Sequence, residues 1–102
     1  MTTSERARQV VPSVLRAVRI LDTLAAEPAG ISLASLSRRL ELPRSSTLAL
    51  CNTLVATELL VRKPDGTYKM GPHVLELGRA LLGQTDIHSE FERVLANLNV
   101  LP

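Results

Sequence analysis

A chain of 102 residues has room for one domain, and 45% hydrophobic with 22% charged residues is a composition able to bury a core. Aromatics amount to 2%, so the core must come from Leu, Val, Ile and Ala, which in leucine-rich periodic segments favours helices over a sandwich or barrel. The net charge of +2 hides an asymmetry: residues 1–71 carry ten Lys and Arg against six acids, residues 72–102 two against four, which points to a polyanionic partner for the first part.

The opening MTTSERARQVV lacks the apolar core of a signal peptide, and no run of about eighteen apolar residues follows, so a cytoplasmic protein is expected. Residues 1–12, polar and closed by Pro12, read as a disordered arm whose Arg6 and Arg8 are either solvated or reach toward a groove. A first helix is expected after Pro12, capped by Ser13. Its core face would be Val14, Val18, Leu21 and Ala25, flanked by Leu15 and Leu24, with Arg16 and Arg19 off the stripe. Pro28-Ala29-Gly30 then turns a sharp corner.

From Ile31 to Thr57 the sequence predicts two helices and a tight turn. Ser32 stands where an N-cap belongs, Leu33, Leu36 and Leu40 repeat behind it at helical spacing, and Glu41-Leu42 breaks the pattern. Pro43 suits the first position of a second helix, whose buried stripe would be Thr47, Leu50, Cys51 and Leu54 before it closes near Thr57. Such a pair is the helix-turn-helix arrangement, whose second helix can enter the major groove of DNA. Cys51, the single cysteine, reads as a small core residue.

Leu59–Lys63 and Thr67–Met70 are strand-like runs around Pro64-Asp65-Gly66, and Asp-Gly between β-formers signals a hairpin. Beside a helix-turn-helix a basic hairpin is a wing, with Lys63 and Lys69 at its shoulders facing phosphates or the minor groove; the alternative is a solvated hairpin that only caps the core. After Gly71-Pro72, a helix over His73–Gln84 carries Val74, Leu75, Leu77, Leu81 and Leu82 on two sides. One side is expected to cover the core and the other to meet a partner, with the small Gly78 admitting a close backbone. A last amphipathic helix has Ile87, Phe91, Val94, Leu95 and Leu98 on its apolar face, with Asp86, Glu90 and Glu92 early, as the helix dipole favours.

Leu33, Leu36, Leu40, Leu42-Pro43-Arg44-Ser45-Ser46, Leu50, Thr53-Leu54 and Tyr68-Lys69-Met70-Gly71 together resemble the N-terminal winged helix-turn-helix of the IclR-type bacterial regulators, over roughly Val14 to Leu82. The resemblance implies a mainly α fold: a three-helix core with a two-stranded wing over residues 13–71, then a linker and dimerisation helix over 72–85. It implies that residues 86–102 begin an effector-binding domain, the chain being either a piece of a longer protein or one without a sensor. It further implies a repressor or activator working as a homodimer or dimer of dimers on double-stranded DNA. A small-molecule effector would act only through that further domain. The dimer-forming residues would be Val74, Leu75, Leu77, Gly78, Leu81 and Leu82. The sequence departs from the family at Leu48 and Ala49, where a polar or aromatic residue and an arginine are usual, and at Glu41 and Glu58, where glycine is usual. At a turn or helix end glycine supplies positive φ freely, so both glutamates are expected to hold a strained left-handed backbone.

Nothing reads as catalytic. His73 and His88 lack a carboxylate or cysteine at ligand spacing, no glycine-rich phosphate loop is present, and neither enzyme activity nor a cofactor or metal is expected. The chemistry is binding. Arg44 and Ser46, in the first turn of the second motif helix, are assigned to DNA phosphates, and Ser32 and Arg38 on the first helix are counted with Lys63 and Lys69 among the DNA-binding residues. Ser45, Leu48, Ala49 and Asn52 form the outward face: Asn52 can pair with adenine N6 and N7, and Leu48 and Ala49 can touch thymine methyls. The competing readings are that Leu48 contacts protein, and that the whole chain is a winged-helix interaction module.

Overall fold

The computed structural model describes residues 9–84 and 87–98. The expected arm up to Arg8, and Asp86 before the last helix, lie outside them. Five helices and a hairpin are described: α1 Pro12–Ala25, α2 Leu33–Leu40, α3 Arg44–Ala56, β1 Leu60–Arg62, β2 Tyr68–Met70, α4 Pro72–Leu82 and α5 Ile87–Leu98. This is the winged helix-turn-helix expected, followed by two helices.

The helix ends have local causes. Val11, not Ser13, precedes α1 as its N-cap; Pro12 occupies the first turn, where its missing N–H costs nothing. The Ser32 side chain caps α2, its Oγ accepting from Ser35 N–H at 3.1 Å. Pro43 is the residue before α3 rather than its first, and its carbonyl accepts from Thr47 N–H and from Thr47 Oγ1 at 3.0 Å. Both motif helices end the same way. Glu41 (φ 55°) donates to Arg38 O and Leu42 N–H to Ser37 O, while Glu58 (φ 63°) donates to Val55 O and Leu59 N–H to Leu54 O. Each pair is a Schellman motif, and each closes on a left-handed residue that is usually glycine and here carries a Cβ.

Ile20, Leu24, Ile31, Leu36, Leu40, Cys51, Leu54, Leu60 and Tyr68 form one buried cluster joining α1, α2, α3 and the hairpin. Two expectations about its faces fail. The core face of α1 is Ala17, Ile20, Leu21 and Leu24, while Val14, Leu15 and Val18 are exposed. That helix carries two apolar stripes, and α2 and α3 choose between them. Leu50 is only half-buried, at the wall of an open groove of about 300 Å³ that Ser13, Val14, Ala17, Thr53 and Leu54 also line, so Thr47, Cys51 and Leu54 carry the buried stripe of α3. Burial pushes the Cys51 thiol up to about 11, which keeps it a neutral core group.

The wing pairs antiparallel as Leu60↔Met70, Val61↔Lys69 and Arg62↔Tyr68, shorter than the runs read from sequence. Its loop is built on a turn in which Gly66 N–H donates to Lys63 O at 2.9 Å, with Lys63 N–H donating to Thr67 O at 2.7 Å. Gly66 (φ 88°) takes the left-handed position that follows a Pro-bearing turn in a bulged hairpin. Asp65 Oδ1 accepts from Thr67 N–H at 2.9 Å and Thr67 Oγ1 at 2.6 Å, which holds its carboxyl below the ordinary carboxylate value. A third extended segment joins the sheet: Ile31 N–H donates to Tyr68 O and Tyr68 N–H to Ile31 O, at 2.9 and 2.8 Å.

Beyond Gly71 the packing changes. α4 begins one residue earlier than read and has no buried side chain, so the core-covering side expected of it is not realised. Leu75, Leu77, Leu81 and Leu82 are exposed, Val74 is half-buried, and a Cβ on Gly78 would meet nothing within 4 Å. Phe91, Val94 and Leu95 on α5 are exposed too.

Candidate nucleic-acid interface

α3 is held by its buried stripe against α1 and α2 and turns the opposite face outward. Ser45, Leu48, Ala49 and Asn52, at spacings of three and four along that face, are all exposed. Thr47, Thr53 and Thr57 are not competitors for a ligand, because their hydroxyls donate to helix carbonyls, Thr53 Oγ1 to Ala49 O at 3.0 Å and Thr57 Oγ1 to Thr53 O at 3.1 Å. Arg44, Ser45 and Ser46 occupy the first turn, where helix N–H groups lack intrahelical partners, and α3 contains no acidic residue. That end of the helix is suited to an anion.

The basic residues divide by what already holds them. Arg39 is paired with Glu27 at 3.4 Å between half-exposed side chains, whereas Arg38 and Arg44 meet no carboxylate among the described residues. Lys63 differs from its expected role at a wing shoulder: it is half-buried and its Nζ donates to Ala29 O at 2.9 Å, tying the wing to the loop after α1. Lys69 is exposed. The reading of the wing missed Arg62, which is exposed and reaches along the loop to within 3.9 Å of where a Gly66 Cβ would stand. The signal for it was register, since a strand residue next to Lys63 must point to the other face. Ser32 remains exposed while it caps α2.

His73 has an acidic neighbour that ligand spacing did not suggest, with Glu76 Oε2 at 3.5 Å from Nδ1 on the exposed surface of α4. Among the described residues no group of three His, Cys, Asp or Glu is gathered as a metal site would require.

Comparison with known proteins agrees with this geometry. The IclR helix-turn-helix domain matches residues 13–64. The chain belongs to the IclR family. The IclR domain here is similar to the Agobacterium tumefaciens repressor BlcR, at 42% identity and a TM-score of 0.71 over 85% of this chain and 35% of that one. An IclR-family transcriptional regulator from Rhodococcus is 32% identical, with a TM-score of 0.62 over 69% of this chain and 28% of its own. A regulator from Alicyclobacillus acidocaldarius is 28% identical, with a TM-score of 0.66 over 69% of this chain and 29% of its own. No protein of curated function matches the sequence. The chain spans about a third of the length of these solved relatives. They are named as regulators of transcription, not as enzymes, and the chain is an IclR-type DNA-binding domain. No helix of the described residues is long and apolar enough to cross a membrane.

Proposed function

We propose that the IclR domain binds a palindromic operator as a homodimer, with α3 in the major groove, as the DNA-reading part of a cytoplasmic regulator. The observation that carries this is the outward face of α3, acid-free, unused by the core and led by Arg44, Ser45 and Ser46. In this reading Ser32, Arg38, Arg44 and Ser46 meet phosphates, and Ser45, Leu48, Ala49 and Asn52 meet base edges. Lys69 and Arg62 bring the wing to the backbone, with Lys63 mainly positioning it. Residues 13–71 form the DNA-binding unit and residues 72–85 the linker to an effector domain.

Dimerisation is supported by what the chain leaves uncovered. Among the described residues, twelve large apolar side chains outside α3 are exposed, five of them on and before α1 and seven on α4 and α5. Apolar side chains exposed in such number on two consecutive helices are expected to be buried against a second copy or the rest of the protein's own chain.

Selection of a random duplex pool on the purified chain tests the proposal. Enrichment of an inverted repeat is expected, with Arg44→Ala weakening all duplexes alike and Asn52→Ala relaxing preference at one base pair per half-site. Affinity should fall steeply with salt through release of counterions. The second reading, a protein-interaction module, is favoured by the exposure of Leu48 alone. It would stand if no duplex were enriched and binding to a partner resisted salt.

A further inference from the structure

Leu48 stands outside the core cluster. Leu54 and Cys51 on α3 are buried and Leu50 and Val55 pack against the core, but Leu48 is 38% exposed and stands apart from the cluster. Ala49 beside it is exposed as well. The middle of the outward face is therefore apolar on a helix turned toward a polyanion. Neither phosphate nor the hydrogen-bonding base edges offer such side chains any gain, because burying apolar atoms against charged or hydrated groups leaves those groups unsatisfied. One feature of the major groove is apolar, the C5-methyl group of thymine.

We infer that α3 recognises its operator by the methyl pattern of thymines, with Leu48 as the methyl-reading residue and Asn52, one turn further on, as the reader of a nearby adenine. The inference rests on the docking of α3 in the major groove proposed above. The rest of the face agrees with it. Guanine is read best by a bidentate Arg or Lys, and the single cation of α3, Arg44, is in the first turn, where phosphate is the nearer anion. The threonine hydroxyls are held by helix carbonyls. What remains to discriminate bases is one amide, one short hydroxyl at Ser45 and a pair of methyl-bearing side chains, a set matched to A·T pairs.

The test replaces thymine by uracil, which removes the methyl and nothing else, one position at a time in the enriched duplex, with affinity measured on the full chain. The expected result is a loss of about four-fold at one thymine per half-site, the value of one methyl withdrawn from water, and about fifteen-fold when both half-sites are changed. Leu48→Ala should weaken the thymine duplex and make it indistinguishable from the uracil duplex, while its melting temperature stays that of the parent. A flat uracil series overturns the inference; if Asn52→Ala still relaxes base preference in that case, the groove docking stands without it. Failure to enrich any duplex overturns both. A lowered melting temperature or lost self-association in Leu48→Ala would assign this side chain to the fold or to a protein contact, and methyl reading would again fail.

Discussion

Residues 12–71 and residues 72–98 have similar shares of leucine, and the second is the more helical, yet they are organised in opposite ways. Among the described residues the first region has every one of the nine core side chains, whereas α4 buries none. In the first, one apolar stripe from each of three helices and the hairpin meet within the chain, leaving the second stripe of α1 and Leu48 outside. In the second the stripes face outward. The lesson is that hydrophobic periodicity measures how much surface a segment must cover and says nothing about what covers it.

The sharpest way to break this contrast is to truncate one leucine in each region. Leu36→Ala, at a fully buried site, should cost about 2–5 kcal/mol and bring a small domain close to unfolding. Leu77→Ala on α4 should change the stability of dilute protein by no more than about 0.5 kcal/mol, and instead weaken self-association in sedimentation. Equal losses of denaturation midpoint would mean that α4 belongs to the core. The joint between the regions comes next. A Cβ on Gly71 would overlap the Glu58 carbonyl and approach the Leu60 carbonyl carbon, so Gly71→Ala should destabilise by about 1–3 kcal/mol in chemical denaturation. A neutral outcome would show that α4 is free to shift.

Smaller effects are expected at the left-handed glutamates. Holding a Cβ at φ 55° and φ 63° costs roughly 1–2 kcal/mol, and glycine returns part of that to the unfolded chain, so Glu41→Gly and Glu58→Gly should each gain up to about 1 kcal/mol. A loss in either would show that the glutamate side chain stabilises its turn by more than its backbone strains it. The smallest effect concerns the wing. Because the Thr67 hydroxyl and then the Thr67 N–H lower the Asp65 pKa, their contribution is full above the unfolded carboxyl value, near about 4, and is lost as pH falls through the lower folded value. The Thr67 amide resonance should follow that lower midpoint; a titration at the ordinary value would remove the turn from the account.

The helix-turn-helix was legible because its signals are local: Ser32 caps α2, Pro43 sets the start of α3, and leucines at helical spacing lie between. The glutamates in left-handed turns were legible only through the family's preference for glycine. What could not be read depended on distant neighbours. The two apolar stripes of α1 share Leu21, and only the presence of α2 and α3 selects between them. Lys63 looked like a free cation because its acceptor, Ala29 O, is 34 residues away, and the pairing of Ile31 with Tyr68 carries no signature in either segment.

The start of α4 is fastened by two backbone hydrogen bonds, Gly71 N–H to Leu59 O at 2.8 Å and His73 N–H to Glu58 O at 3.0 Å, with Gly71 seated against the residue that closes α3. Such a joint is a weld rather than a hinge. In the proposed dimer, two domains held apart by their far helices would keep their reading heads at one spacing and one angle, as the tips of rigid calipers do, and would measure the distance between half-sites before any base is touched.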